Sequence, residues 1–273
     1  MRGRASAMSG GLSEEEVARY WAEGFVAVRG VFSRSEVLVW RRECDRLWAA
    51  ASINDRDSRI QWREHATKGE VPDRFDPVID ISPVFHRLAQ DDRLLDAARS
   101  VLGSEATLLK DKLITKRPGT KGYGMHQDFT YWAFLGVPAD AIVTVQVSID
   151  AAGEANAAIE VFPRLHRRQL EAPPEEPRDV DETKMDLSDG RVVRSRPGDI
   201  LLFHSLVPHR SAPNTSLQNR RAIFVTYVTG GNDDVYERYH AENHHGARPV
   251  PRRSSWPSSP SPSPHSRAAR KPM

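Results

Sequence analysis

The 273-residue sequence predicts a mainly β domain with helices packed on one of its sheets. Three observations carry that expectation. Helix patterns with capping signals fill the chain before residue 104. From there to about residue 230 the texture changes to short β-branched runs separated by Gly, Pro and Asn. The length suits one sizeable core, and no run approaches the roughly 20 apolar residues of a membrane span. One domain is expected over 12–246, with its β core at about 104–230. Residues 1–11 are small and polar. A tail over 247–273 is rich in Pro, Ser and Arg, with seven Pro and seven Ser after residue 248, a composition unable to bury enough surface to fold. Both ends are expected to be disordered.

The elements follow in order. In "LSEEEVARYWAEGF", Ser13 and Glu16 have capping-box spacing and open a helix that ends near Gly24. "FVAVRGVF" suits a short strand. Ser33 and Glu36 repeat the box and start a longer helix through "SRSEVLVWRRECDRLWAAA". Residues 52–80 are charged and irregular, and read as a segment lying over a site. "PVFHRLAQDDRLLDAARSVLG" reads as one helix, with Pro83 in its first turn and Gly103 as its stop. The runs "ATLLKDKLITKRP", "AIVTVQVSID", "AAIEVFP", "RVVRSRPGDILLFHS" and "RRAIFVTYVT" are the strands of the β core. Between them, residues 171–190 form an acidic, Pro-containing excursion expected to be a surface loop or lid.

Composition narrows the function classes. The single cysteine, Cys44, excludes an internal disulfide framework and a Cys-based zinc site, and its helical context reads as packing. The net charge of +2 comes from the tail: from Ala247 onward there are six basic residues and no acidic ones. Without them, 33 basic residues face 37 acidic ones, near −4, so the body carries no electrostatic footprint for nucleic acid. "MRGRASAMSGG" has no apolar stretch of the signal-peptide kind. A cytoplasmic protein with a small-molecule substrate, and neither a nucleic-acid nor a membrane partner, is expected.

The chemistry concentrates in "GYGMHQDFTYW". In a strand, His126 and Asp128 would point to the same face and converge on one spot. A further histidine is available downstream. His204 and His209 would face opposite sides of one regular strand, and His209 stands just before a turn, where a side chain can reach into a barrel mouth. Two histidines and one carboxylate on one face of an iron, with positions left open, form the facial triad of non-haem Fe(II) oxygenases. A 2-oxoglutarate cosubstrate also needs a cation for its distal carboxylate, and the planar fork of arginine suits it. Arg220 and Arg221 open the next strand, so one of them should point inward, and Ser211 adds a hydroxyl nearby.

On "HQD", "FHSLVPHRSAPNTS" and the Arg eleven residues beyond the second His, the chain from about Leu12 to Tyr227 resembles the phytanoyl-CoA dioxygenase family of Fe(II)/2-oxoglutarate oxygenases. The resemblance implies a double-stranded β-helix, a jelly-roll, cupin-like barrel. It implies His126, Asp128 and His209 as iron ligands and catalytic centre, Arg220 and Ser211 as the clamp on the distal carboxylate, and Gln127 as a position near the cosubstrate. "SIDAAGEANAAIEVFPRLHRR" is similar to the family's acidic turn followed by Pro-x-x-His. The family usually has Asn-Gly where this chain has Asn156-Ala157, and Gly-Ser where it has Arg164-Leu165. In such a barrel Lys112, which shares a face with Lys110, Ile114 and Lys116, is a cosubstrate contact. Thr144, Gln146 and Ser148 share a face opposite a row of valines, placing Gln146 against cosubstrate or substrate. His166 reads as bonded to loop backbone, His204 as a satisfied core group, and His244 and His245 as solvent-exposed. Tyr131, Trp132 and Phe134 read as core or as an aromatic wall.

The implied reaction uses Fe(II), 2-oxoglutarate and O2, releases succinate and CO2, and hydroxylates or oxidatively closes a ring in a small molecule. Asp128 argues against halogenation, because related halogenases lack that carboxylate. The acidic excursion and the Ala- and Arg-rich composition, reminiscent of high-GC bacteria, point to natural-product tailoring, as in antibiotic biosynthesis, on a neutral or cationic sugar, aminoglycoside or similar molecule. Two rivals stand beside this reading: a zinc-dependent hydrolase on the same triad, and a catalytically silent jelly-roll binding domain.

Overall fold

The computed structural model describes residues 10–51 and 59–243. Residues 1–9 and the tail, with His244 and His245, lie outside the described residues. Along the chain run α1 (Glu14–Glu23), β1 (Phe25–Val28), α2 (Arg34–Ala50), β2 (Ile60–His65), β3 (Gly69–Phe75), α3 (Pro83–Ala89), α4 (Asp92–Leu102), β4 (Ala106–Lys116), β5 (Tyr123–His126) and β6 (Ile142–Ser148). They are followed by β7 (Ile159–Val161), β8 (Arg191–Val192), β9 (Ile200–His204), β10 (His209–Ser211), β11 (Arg220–Thr229) and α5 (Val235–Asn243).

Both capping boxes form. Ser13 Oγ accepts from the Glu16 amide, and Glu16 Oε2 accepts from the Ser13 amide at 2.9 Å; Ser33 and Glu36 repeat the exchange. Gly24 closes α1 at φ 88, a conformation glycine adopts without steric cost. The helix expected over 83–102 is two helices. Asp91 turns its carboxylate to the Arg93 amide at 3.0 Å and caps a new helix, so the chain bends between Ala89 and Asp92.

Residues 60–75 are a second departure: they form the β2–β3 hairpin, joined to the large sheet through Arg74↔Ile114 and Phe75↔Leu113. Its alternation is hidden in the sequence because Arg63, Asp73 and Arg74 are turned to the protein interior rather than to water. Helix α5 was not foreseen, since Val235 and Tyr239, with His240, make only a thin buried stripe along it.

Two antiparallel sheets result, ordered β1-β9-β6-β11-β4-β3-β2 and β5-β10-β7-β8. On the outer face of the large sheet Val143, Val145, Val147, Ile223, Val225 and Tyr227 pack against the helices in one core, where Cys44 is fully buried. Between the sheets a smaller core holds Phe203, Ala222 and Phe224 against Ile159 and Val161. This is the double-stranded β-helix, with the helices on one sheet. Residues 171–190 lie against the small sheet: the Val180 amide donates to Met125 O at 2.8 Å, and Val180 packs with Met125 and Phe162.

Candidate active site

Strands β5 and β10 pair antiparallel with His126 opposite His209, so the ladder itself sets the two imidazoles side by side, ring centroids 4.3 Å apart. The approach is tight. A Cβ at Gly122 would fall 2.1 Å from Ser211 O, so glycine is required there. Asp128 reaches the spot differently from the sequence expectation. The strand ends at His126, and Asp128 opens a 3₁₀ turn, Asp128–Tyr131, held where the Phe129 amide donates to Ser205 O at 2.9 Å. Its Oδ1 still lies 3.6 Å from His126 Nε2. The ligand atoms offered by His126, Asp128 and His209 all fall within 4.8 Å of one another.

Hydrogen bonds decide which nitrogen each ring presents. His126 Nδ1 donates to Gly124 O at 2.8 Å and His209 Nδ1 to Val207 O at 3.0 Å, leaving the Nε2 lone pairs free. Burial pushes His126 down to about 4 and lowers His209 as well, so both rings are neutral. Burial alone would raise Asp128, but the charges around it, the Lys112 ammonium first among them, together outweigh burial and keep the carboxyl below its ordinary value. Two neutral imidazoles and one carboxylate are the donor set a divalent iron takes.

A cavity of about 470 Å³ opens beside the three groups. Arg220, at the start of β11 opposite Lys116, is 2% exposed and projects toward the cavity, whereas Arg221 pairs with Asp150 at 2.7 Å and Asp45 at 2.9 Å on the other face. Arg220 Nε and Nη1 are buried without a hydrogen-bond partner among the described residues, which fits a carboxylate ligand. Ser211 lines the same end, its Oγ accepting from the Tyr123 amide at 3.3 Å. Lys116 donates to Lys121 O at 2.7 Å; burial, then Arg220, pushes it down to about 7.

The remaining sequence candidates divide. Lys112 lines the cavity. Gln127 does not: its side chain is fully buried and spent on Arg168 O, Leu206 O and the Leu170 amide, so it braces the loop behind the site. Gln146 donates to Ser148 Oγ at 3.3 Å and is not among the cavity-lining residues, because Phe224 and Ala222 of β11 stand between β6 and the lysine row of β4. Tyr131 and Trp132 line the cavity, while Phe134 is half exposed. His166 meets Trp21 O at 3.2 Å, and His204 is satisfied by Asp140 and the Leu206 amide. Sequence reasoning missed Arg63, Arg74, Asp76, Tyr123 and Arg178, all of which line the cavity. The signal is partial: three lysines on one face of β4 mark a cationic row, but the sequence of the hairpin that brings Arg63 and Arg74 beside it reads as irregular.

The phytanoyl-CoA dioxygenase (PhyH) family model matches residues 20–222. A methylphosphonate hydroxylase of Gimesia maris is 28% identical over 233 residues, 85% of this chain and 86% of its own. A 2-aminoethylphosphonate dioxygenase of uncultured bacterium HF130_AEPn_1 is 36% identical over 128 residues, 46% of this chain and 47% of its own. Among solved structures, EctD from S. alaskensis with 2-oxoglutarate and 5-hydroxyectoine superposes with a TM-score of 0.68 at 21% identity, covering 84% of this chain and 81% of that one. The epimerase SnoN, in complex with Fe3+, α-ketoglutarate and nogalamycin RO, gives 0.65 at 21% identity over 79% and 83%. With a family match across most of its length and the family's fold, the chain belongs to the phytanoyl-CoA dioxygenase family of Fe(II)- and 2-oxoglutarate-dependent dioxygenases.

Proposed function

We propose that this oxygenase holds Fe(II) with His126, Asp128 and His209, binds the distal carboxylate of 2-oxoglutarate with Arg220 and Ser211, and hydroxylates a small charged metabolite. The observation that carries the reading is the convergence of the triad on a cavity also lined by a buried arginine whose Nε and Nη1 have no hydrogen-bond partner among the described residues. When bound, iron and 2-oxoglutarate supply O2 activation, one oxygen atom entering succinate with loss of CO2 and the other a substrate C–H bond. The chain's own residues supply geometry. The Gly124 and Val207 carbonyls fix both imidazole tautomers, and Lys112 keeps Asp128 ionised. Phe203 packs on His209 at 5.0 Å between centroids and Tyr131 stands edge-on to His126 at 6.0 Å, screening both rings from water.

The neutral or cationic substrate expected from the acidic excursion is not what the cavity favours. Three acidic side chains of 171–190 are met by basic partners: Glu171 pairs with Lys184, Glu182 with Arg210, and Asp189 with Arg164. From that segment Arg178 and Asp179 reach the cavity. Relatives named for methylphosphonate, 2-aminoethylphosphonate and ectoine support a small ionic metabolite over a bulky acyl-CoA.

The test is succinate formation from 2-oxoglutarate in air by anaerobically Fe(II)-loaded protein, with Asp128→Ala as control. Slow turnover that vanishes in the variant is expected. Stoichiometric iron binding with neither 2-oxoglutarate binding nor turnover would overturn the reading, and a metal-dependent hydrolysis indifferent to 2-oxoglutarate would replace it.

A further inference from the structure

The cavity holds more positive charge than an Fe(II)/2-oxoglutarate site consumes, and its placement is informative. Facing residues of β4 and β11 step inward in pairs: Lys116 with Arg220, Ile114 with Ala222, Lys112 with Phe224, Lys110 with Thr226. At about 3.4 Å per residue, Lys112 lies about 14 Å along β4 from Lys116, at the triad rather than at the Arg220 end. Lys112 is half-buried, makes no hydrogen bond or ion pair among the described residues, and holds its Nζ over the Phe224 ring, 5.2 Å from the centroid. On its far side a single carboxylate, Asp76, serves two cations: Lys110 at 2.9 Å and Arg74 at 3.8 Å. Arg74 Nε, too far from Asp76 to hydrogen-bond, is buried without a hydrogen-bond partner among the described residues. At the mouth, Arg178 has no ion pair among the described residues and lies over the Tyr131 ring, 5.3 Å from its centroid.

The charge balance then decides. Divalent iron, the Asp128 carboxylate and doubly charged 2-oxoglutarate leave one negative charge, which Arg220 cancels. Asp179, which also reaches the cavity, offsets one of Lys112, Arg178 and the cation that Asp76 leaves over, so two positive charges remain unanswered. Unpaired charge at a half-buried site is costly, and a single carboxylate would satisfy only part of it. A tetrahedral dianion offers three acceptor oxygens to donors that approach from several directions.

Resting on the proposed Fe(II)/2-oxoglutarate reading, we infer that the substrate carries a doubly charged tetrahedral oxyanion, a phosphonate or phosphate monoester, bound by Lys112 and Arg74 inside the cavity and by Arg178 at its mouth. Lys112 is thereby assigned to the substrate and not to the cosubstrate. Its position sets the oxyanion beside the metal ligands, so the carbon presented for oxidation is one close to the phosphorus group.

The experiment uses the full chain, loaded anaerobically with Fe(II) and 2-oxoglutarate and titrated calorimetrically with methylphosphonate, 2-aminoethylphosphonate, methyl phosphate and acetate. Succinate release in air is measured with each. At least one of the three phosphorus compounds should bind and stimulate succinate release, with acetate inert, and the three arms separate phosphonate from phosphate ester. Lys112→Met should weaken that binding about tenfold or more, and Arg178→Gln by less because it is exposed. Thermal unfolding checks that each variant is folded, and Lys112→Arg should restore part of the affinity. If 2-oxoglutarate turns over but no phosphorus compound binds or stimulates, the substrate inference is overturned while the oxygenase reading stands. If 2-oxoglutarate neither binds nor turns over, it is the oxygenase reading that fails. If Lys112→Met raises the KM for 2-oxoglutarate as much as it weakens phosphonate binding, Lys112 belongs to the cosubstrate and the assignment is wrong.

Discussion

Replacing Arg220 by Gln should move stability and cosubstrate binding in opposite directions. Arg220 is almost fully buried, and its Nε and Nη1 hydrogens have no acceptor among the described residues. Each unsatisfied buried donor costs about 1–3 kcal/mol, and a charged one more. Part of the relief in the variant is offset by lost packing of the arginine stem, leaving a gain of about 1 kcal/mol without cosubstrate. For a domain of this size that raises Tm by about 2–4 °C. With 2-oxoglutarate the sign inverts. Two hydrogen bonds to a charged carboxylate, at about 1.5 kcal/mol each, amount to roughly a hundredfold in affinity. At a hundredfold excess over its Kd the cosubstrate stabilises the wild type by about 2.7 kcal/mol, and the variant hardly at all. Scanning fluorimetry of anaerobic Fe(II)-loaded protein, with and without 2-oxoglutarate, reads both arms, and the KM in the succinate assay reads the affinity independently. If the variant melts below the wild type without cosubstrate and keeps its KM, then Arg220 is a structural cation and the reasoning from its orphaned donors is refuted.

Three further outcomes follow from local geometry. Gly122→Ala forces a Cβ to 2.1 Å from Ser211 O and so parts β5 from β10; metal affinity measured by equilibrium dialysis should fall at least tenfold, while Gly153→Ala, with open space around it, leaves metal affinity unchanged. Arg164 sits at φ 66, where a non-glycine residue is strained by about 1–2 kcal/mol. Against this stands an exposed pair with Asp189, worth at most about 1 kcal/mol. Arg164→Gly should therefore stabilise by up to about 1 kcal/mol and Arg164→Val destabilise, and equal denaturation midpoints for the two would contradict the strain. Asp111 Oδ1 accepts from the Val78 and Ile79 amides and Oδ2 from the Tyr236 hydroxyl, and burial pushes its carboxyl up to about 7. Because the folded-state value is raised, its stabilising contribution is full below about pH 4 and is lost as pH rises through about 7. Asp111→Asn mimics the protonated form, so its stability relative to wild type in urea titrations should grow from pH 5 to pH 8; a constant gap would show that Asp111 does not titrate there.

Much of the fold was legible because its signals are local. Ser13, Ser33 and Pro83 mark helix starts by chemistry confined to one turn, and the valines of β6 alternate with Thr144, Gln146 and Ser148 on a strand that keeps its period. Much of the candidate site was legible for the same reason: His126 and Asp128 lie close in sequence, and Arg220 and Arg221 are separated by the period-2 rule alone. Asp128 illustrates the limit. Its convergence was expected from a continuous strand, yet a 3₁₀ turn achieves it, because the Ser205 carbonyl that holds Phe129 comes from 76 positions away. Ala157 and Arg164, noted only as departures from the family's usual glycines, are the two non-glycine residues with positive φ among the described residues. A family glycine had marked a backbone conformation that this chain keeps at a steric cost.

What stayed hidden was the placement of charge. A body near −4 with an acidic excursion reads as a receptor for a neutral or cationic molecule only if its charges lie where composition suggests. In the fold, four of the eight acidic residues of 171–190, Glu171, Asp181, Glu182 and Asp189, are met by nearby lysine and arginine, while Arg63, Arg74, Lys110, Lys112 and Lys116 line the inner surface of one hairpin and its neighbouring strand. Nothing local distinguishes an inward lysine from a solvated one; only the pairing of β3 with β4 and of β4 with β11 does. Those pairings join residues 40 and more than 100 positions apart. The substrate's charge is thus set by the least local feature of the chain. Substitutions at Lys112 or Arg74 should accordingly retune specificity while leaving the triad's ladder intact, because neither side chain belongs to the strands that carry His126 and His209.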